Sequence, residues 1–331
     1  MSEQGNAIGV VGLGHAVPDT IRKNDDPLFL RHEPPFAEDL FVGFHERRVL
    51  APGERLEDLG VLAAQRALAD AGVAADGIDR LYGAVSPGEV LLPSGLFGVH
   101  EALGLPREAK VVPIQSEFTN FVDALVCACD AVAAGRSERA LVVVAAGWSR
   151  LVDYADAGAA GIGDGAGAVV VSRDASWELV DEASETHGAW RGAMTLQMRA
   201  ARRSPPGVGD GERPLFVFEA EAARAFRELG LSVPERLFRK LVERHGVAPA
   251  DVALVGHQPS VALLDAWKGL LGVGDLPSVL QQFGNCTLAT AAVTLSLHAR
   301  ALAPRHIVLL GMGLGQNFSA ALLHRRATSA R

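Results

Sequence analysis

Cysteine is scarce in this chain of 331 residues: Cys127, Cys129 and Cys286 are the whole supply. An odd, sparse set argues against a disulfide scaffold and fits a reducing, cytoplasmic setting. A single residue separates Cys127 from Cys129, too few for a tetrahedral metal clip, so no metal site is expected. Long hydrophobic runs are also missing. No uncharged apolar stretch reaches about 18 residues, so no membrane-spanning helix is expected, and no membrane partner either. Met1 to Gly9 has no basic segment followed by an apolar run, so no signal peptide is expected. Nor is charge of one sign concentrated anywhere. The 31 Lys and Arg and 39 Asp and Glu are mixed along the chain, with a net charge of -8. Such a distribution leaves no electrostatic footprint for DNA or RNA.

What is present is the composition of a globular protein, 49% hydrophobic and 21% charged, long enough for two similar halves of about 150 residues each. The run AIGVVGLGHAVP from Ala7 reads as a buried strand closed by glycine and proline, and Leu56 to Ala71 as an amphipathic helix ending at Gly72. Strand and helix then alternate: Asp79–Val85, the Pro93–Leu103 helix, Lys110–Ile114, the Phe121–Ala134 helix, Ala140–Ala146 and Ala166–Ser172. Alternation of this kind predicts a layered α/β architecture. Beyond a polar interval rich in proline and glycine at Arg202–Pro214, the pattern predicts helices at Phe218–Leu229, Pro234–His245, Val261–Leu271 and Thr287–Ala303. Strands are predicted at Val252–Gly256, His306–Gly311 and Ser319–His324. Each half ends in glycines followed by a small-residue strand, GDGAGAVVV and GMGLGQNFSAALL, which suggests an internal duplication with halves 1–175 and 176–331. Ala201–Gly211, with SPPGVGDG at its centre, is the expected mobile surface loop.

Two segments of the second half carry candidate chemistry. In VGHQPS, His257 follows a buried strand, where a loop can aim an imidazole into a cleft. In FGNCTLA, Asn285 lies in a glycine turn before a helix. Together they can donate hydrogen bonds to a thioester carbonyl as it gains negative charge. Each residue alone also has a plain structural reading, as a packed histidine and a turn asparagine.

The order of segments resembles the ketoacyl synthase III branch of the thiolase superfamily over nearly the whole chain. VGHQPS is similar to that family's His-Gln-Ala-Asn segment, FGNCTLA to its Gly-Asn-Thr-Ser-Ala segment, and IGDGAGAVVV to the end of its first half. GMGLGQNFSAALL resembles its C-terminal glycine loop, and VGFHERRVLAPGE its Thr-Gly-Ile-x-x-Arg stretch. The resemblance implies a five-layered α-β-α-β-α thiolase-like fold of two similar halves. In that family a cysteine on a tight turn at the start of a buried helix is acylated, its thiolate favoured by the helix dipole. The matching stretch here is VVPIQSEFTNFVDAL, and alignment of Phe121, Ala124, Leu125 and Gly135 places Phe118 on the cysteine. The resemblance therefore implies a member without the family's nucleophile. Cys127 and Cys129 sit further along the same helix, at about 1.5 Å per residue, and cannot replace it from the matching site. Cys286 is expected to be a packing residue.

Beside Phe118 stand Ser116 and Glu117. A carboxylate there, in an apolar cleft near His257, can have a raised pKa and act as a base; the alternative is that Glu117 pairs with an arginine or caps the helix. Ser116 serves as a nucleophile only if the turn shifts by two residues. Ser116, Phe118, Gly313 and Gly315 are the expected substrate-binding positions, and the Gly313–Gly315 backbone is expected to help polarise the carbonyl. Where the family clamps the nucleotide of coenzyme A, this chain has Ala37, Phe41 and Ala157, and Ser260 replaces the Asn of His-Gln-Ala-Asn. Delivery of the thioester on acyl carrier protein is thus expected ahead of free coenzyme A, with Arg47, Arg48, Arg202, Arg203 and Arg213 as docking candidates and solvated surface as their alternative. The expected activity is acyl-thioester transfer or condensation in secondary metabolism, such as polyketide biosynthesis. It would proceed through His257, Asn285 and Glu117 without an acyl-cysteine, or as malonyl-type decarboxylation. No cofactor is expected beyond the phosphopantetheine that carries the substrate. The alternative is a non-catalytic subunit paired with a cysteine-bearing homologue. The resemblance accordingly implies a homodimer or a heterodimer with a homologue.

Overall fold

The computed structural model describes residues 7–29, 42–209 and 211–326. Its first part runs β1 (Ile8–Ala16), β2 (Ile21–Lys23), β3 (Glu46–Arg48), α1 (Leu56–Ala71), β4 (Arg80–Ser86), α2 (Leu96–Leu103) and β5 (Lys110–Pro113). Helix α3 (Asn120–Ala133), β6 (Ala140–Ala146) and β7 (Gly165–Arg173) follow. The second part opens with β8 (Trp177–Thr186), β9 (Met194–Ala200), β10 (Glu212–Phe218), α4 (Ala220–Leu229), α5 (Ser232–Arg244) and β11 (Val252–Gly256). It closes with α6 (Val261–Leu271), α7 (Leu280–Phe283), α8 (Thr290–His298), β12 (His306–Gly313) and β13 (Asn317–Arg325).

Nine strands hydrogen-bond in the order β11-β12-β13-β8-β1-β7-β6-β4-β5. The order on the two sides of the middle is the same. From the centre outward the first part reads β1, β7, β6, β4, and the second reads β8, β13, β12, β11. Within the sheet the two sides join where β1 pairs with β8, Gly9 with Glu178 and Val10 with Trp177. Helix α3 touches β4, β6 and β7 on one side and β12, β13 and β8 on the other, while α8 touches β7 and β1 as well as β11 and β12. These two helices are therefore enclosed between the two strand sets. Helices α1 and α2 cover the outside of the first set and α5 covers the second, with α6 packed on α5. The result is the layered α-β-α-β-α arrangement of a thiolase-like fold.

Local sequence explains most elements. Helix α1 buries Leu56, Gly60, Ala63, Ala64, Ala67 and Leu68, a stripe at helical spacing, and Gly72 ends it in the left-handed conformation at φ 63°. Strand β6, ALVVVAA, is buried at every position, as a central strand covered on both faces must be. Three features depart from the sequence expectation. The helix expected over Thr287–Ala303 is a 3₁₀ turn at Thr287–Ala289 followed by α8, which ends at His298. Strand β8 was not expected because WELVDEASET holds four acids. The structure pairs Asp181 with Arg244 and His245, and Glu185 with Arg236 and His187. Strands β9 and β10 form a separate ribbon, which places Arg213, Pro214 and Phe218 in a strand instead of a loop and a helix. The start of the expected mobile interval is fastened: Asp153 accepts the Arg202 and Arg203 amides at 3.0 and 3.1 Å.

Candidate active site

The turn between β5 and α3 carries the candidate residues Ser116, Glu117 and Phe118. The Thr119 amide donates to Ser116 O at 2.7 Å, and Asn120 Nδ2 donates to Ile114 O at 2.8 Å, closing a tight reversal. Phe118 has φ 98°, a region that bulky residues rarely adopt. Strain of this kind persists only where the surroundings over-determine it. Here the glycine strand β12 does so. A Cβ on Gly313 would lie 2.3 Å from Glu117 O, and the Leu314 amide donates to the same oxygen at 2.6 Å. Any side chain at Gly313 would push the turn away. Gly315 and Gln316, at φ 76° and 54°, make the sharp turn from β12 into β13.

Phe118 points into a cluster of rings. It stacks on the His257 imidazole with centroids 5.4 Å apart and planes 7° apart. It meets Trp148 edge to face at 4.6 Å and Phe216 at 6.5 Å. Trp148 follows β6, on a turn whose Ser149 amide and hydroxyl both donate to the buried Asp164. Asp164 also accepts the Leu50 amide at 2.8 Å, so the GDGAG and HERRVL segments lock each other. Phe216 comes from β10. Neither Trp148 nor Phe216 was expected from the sequence; the one available signal was an aromatic residue just past a buried strand.

His257 is held by its amide, which donates to Leu310 O at 2.8 Å. Burial pushes its imidazole down to about 4, against the opposing effect of a hydrogen bond with the Thr287 backbone. It is therefore neutral at pH 7. No described residue bonds to its Nδ1. Gln258 fixes the facing loop, accepting the Val279 amide and the Ser278 hydroxyl, each at 3.0 Å. Ser260 caps α6 by accepting the Leu263 amide. Asn285 follows Gly284 at φ 74°, and its amide donates to Gly161 O at 2.7 Å. Its Oδ1 accepts the Thr287 amide at 2.9 Å and Thr290 Oγ1 at 3.4 Å, which leaves its NH₂ as the end with hydrogens to give. His257 and Asn285 thus both contact the Thr287 backbone.

Glu117 neither caps the helix nor makes an ion pair among the described residues. Burial raises its carboxyl to about 7, with a hydrogen bond from Ser86 working the other way. Its Oε2 has no described partner. Ser116 is turned onto the Asp123 carboxylate by a short hydrogen bond. Cys129 and Cys286 are buried thiols, the first pushed up to about 12 and the second also raised. Cys127 is raised too, by burial and the nearby Asp130. Two surface cavities, of about 360 and 180 Å³, lie elsewhere and are lined by none of Glu117, Phe118, His257 and Asn285.

Residues 114–188 match the family model for 3-oxoacyl-[acyl-carrier-protein (ACP)] synthase III. The chain is 30% identical over 289 residues to a beta-ketoacyl-[acyl-carrier-protein] synthase III of Thiobacillus denitrificans, covering 85% of this chain and 88% of that one. It is 31% identical over 310 residues to the protein of the same description from Paracoccus denitrificans, covering 87% and 89%. This chain belongs to the ketoacyl synthase III family. Among solved structures, the priming β-ketosynthase from the R1128 polyketide biosynthetic pathway superposes with a TM-score of 0.82 at 25% identity, covering 98% of this chain and 99% of that one. A Xanthomonas campestris OleA variant bound to lauric acid and lauroyl-CoA gives 0.81 at 20% identity, covering 96% and 99%. The latter likeness is one of fold. The first likeness and the sequence relatives make this chain a condensing or acyl-transferring type of protein.

The arginines proposed for carrier docking fare differently. Arg47 is fully buried, its guanidinium over Phe29 at 4.9 Å and donating to Asn24 Oδ1 at 2.7 Å. It cannot meet a partner protein. Arg203 and Arg213 bind backbone carbonyls of Leu28 and of Arg150, at 2.7 and 3.0 Å, and Arg48 leans on the carbonyls of Pro18 and Asp19. Of the five only Arg202 is exposed, and it is paired with Asp153 and Asp156. Ala37 and Phe41 lie outside the described residues, and Ala157 begins a 3₁₀ turn, Ala157–Gly161.

Proposed function

We propose that this member of the family transfers or condenses acyl thioesters without forming an acyl-cysteine, because Phe118 occupies the place of the family's nucleophile. The observation that carries the reading is the parallel contact between Phe118 and His257, in which a packed ring fills the space an acylated thiol requires. The two titratable groups divide the chemistry. A histidine held near 4 is a weak base, neutral, with a single N–H that an incoming thioester carbonyl takes over from the Thr287 backbone, whereas a carboxyl near 7 is poised to exchange protons at physiological pH. His257 and the Asn285 NH₂ are therefore assigned to the thioester carbonyl, and Glu117 to the proton. For a malonyl thioester the bond from the carboxylate to Cα breaks and CO₂ leaves. The electron pair passes to the enolate oxygen against His257 and Asn285, and the enolate carbon then either attacks a second acyl thioester, whose thiolate leaves, or takes a proton from protonated Glu117. For acyl transfer the same carboxylate removes the proton of an incoming hydroxyl, amine or carbon acid, the C–S bond of the thioester breaks, and the carrier thiolate leaves with that proton. The substrate is carried on phosphopantetheine, with acyl carrier protein as the partner in secondary metabolism and the cytoplasm as its place.

Two similar halves, divided near residue 175, and a dimer complete the proposal. Val90, Leu91 and Leu92, exposed by 57, 84 and 85%, offer apolar surface for a second subunit. The experiment is intact-mass spectrometry after incubation with malonyl and acyl thioesters of carrier protein and of coenzyme A. Product is expected with the protein mass unchanged, and a stable adduct would sink the non-covalent reading. An inert protein that becomes active only with a cysteine-bearing homologue would identify a partner subunit, the reading favoured by the ring-filled turn if His257 proves dispensable.

A further inference from the structure

Ser116 and Thr119 flank Glu117 and Phe118, and both hydroxyls end on one carboxylate. Asp123, in the first turn of α3, accepts Ser116 Oγ and Thr119 Oγ1 on its Oδ2, the latter at 2.7 Å. Its Oδ1 accepts Ser319 Oγ at 2.6 Å. Ser319 belongs to β13, on the opposite strand set. The neighbouring Asn317 adds a second cross-link, with Nδ2 donating to Thr119 Oγ1 at 2.8 Å. Thr119 is fully buried and Asp123 partly so. Between the two pinned hydroxyl residues the chain reaches φ 98° at Phe118, and the glycines of β12 allow it to sit close: a Cβ on Gly311 would lie 3.0 Å from Thr119 Cα.

We infer that Asp123 is a positioning residue, a carboxylate clamp that fastens both ends of the strained turn to β13 and so sets where Phe118 stands against His257 and where Glu117 beside it is held. A helix-start carboxylate with three hydroxyl donors suits the task. Bonds to a charged acceptor are short and directional, and the negative charge is favoured in the first turn of a helix. The donors come from the loop, the helix start and the far strand, so releasing the carboxylate loosens all three at once. The inference does not depend on which reaction the site performs.

The test uses a reporter on the turn itself. In the full-length protein, Phe118→Cys places a thiol at the start of α3, and its alkylation by iodoacetamide is followed against pH. Adding Asp123→Asn has opposite consequences under the two explanations. Loss of a nearby negative charge alone lowers the thiol pKa and speeds alkylation at neutral pH. Loss of the clamp lets the thiol drift from the helix start, so its pKa rises and alkylation slows about tenfold. Slower alkylation is the expected result, and Ser116→Ala with Ser319→Ala, which leaves the charge in place, should slow it as well. Faster or unchanged alkylation in both backgrounds overturns the clamp. Should Phe118→Cys not fold, amide hydrogen exchange over residues 114–120 decides between wild type and Asp123→Asn. A rise of about tenfold confined to the turn supports the clamp, and unaltered exchange there overturns it.

Discussion

The imidazole of His257 and the ring of Phe118 lie parallel, 5.4 Å apart, one from each side of the molecule. The stack accounts for part of the burial that keeps His257 neutral, and it separates packing from chemistry in a single pair. His257→Ala removes both; His257→Phe removes only the chemistry. Each is expected to lower turnover of a carrier-bound thioester by about 10² to 10⁴. His257→Phe should keep its thermal midpoint close to that of wild type, since an aromatic pair contributes about 0.5 to 1.5 kcal/mol. Wild-type turnover in His257→Phe would withdraw the catalytic role.

Phe118→Cys should restore an acylatable thiol at the start of α3. The change opens space among Trp148, Phe216 and His257, and full truncation of a buried Phe costs about 3 to 5 kcal/mol, so a lowered unfolding midpoint is expected. The variant should gain the mass of one acyl group from an acyl thioester, while wild type gains none. A folded variant that alkylates readily yet never acylates would show that the remaining pocket does not recognise thioesters.

Glu117 and His257 predict a specific dependence of stability on pH. Glu117 is raised from 4.5 to about 7. Between those values the unfolded chain has lost a proton that the folded one keeps, so its contribution to stability is present below 4.5 and fades as pH rises to 7. The full effect is on the order of 3 kcal/mol. His257 is lowered from 6.5 to about 4. On acidification through that window the unfolded chain gains a proton that the folded one refuses, so stability fades as pH falls. The two slopes oppose each other between about 4.5 and 6.5. Glu117→Gln should remove one of them, and denaturant melts across this range should then show stability climbing with pH more steeply than in wild type. Identical slopes would place the carboxyl in water. In activity, Glu117→Gln should slow turnover and abolish a limb of the pH profile near 7.

Arg47 and Arg202 should behave oppositely. Arg47→Ala removes the buried guanidinium that donates to Asn24 and lies over Phe29, with an expected loss of about 2 to 4 kcal/mol in denaturant melts. Arg202→Ala, exposed at 65%, should cost under about 1 kcal/mol. An Arg47→Ala protein as stable as wild type but weak in carrier-protein binding would reverse this assignment.

Periodicity located α1 and β6 and the GDGAG strand because each is decided by its own residues: a small-residue stripe, a run of valines, a glycine stop. Resemblance supplied the order of the layers. What stayed hidden depends on partners distant in sequence. The acids of β8 look like a loop until Arg236 and Arg244 pair with Glu185 and Asp181 and two histidines hydrogen-bond beside them. Arg47 looks like surface until Phe29 and Phe44 close over it. At the site, His257, Asn285, Glu117 and Phe118 were each visible as residues near a strand end or helix start. The rings of Trp148 and Phe216, and the carboxylate of Asp123, were not, because nothing local requires them to face the turn.

The division of the strands has a consequence for the integrity of the candidate site. The turn with Glu117 and Phe118 belongs to the first strand set, whereas His257, Asn285 and the β12 glycines belong to the second, and β1 and β8 join the two sets through the short pairing of Gly9 and Val10 with Glu178 and Trp177. A chain of either half alone would hold the buried carboxyl or the histidine and asparagine, but never both. The candidate site is therefore complete only where the two strand sets face each other, so a substitution that shifts one set against the other reaches every one of its residues, even with each set's own core intact.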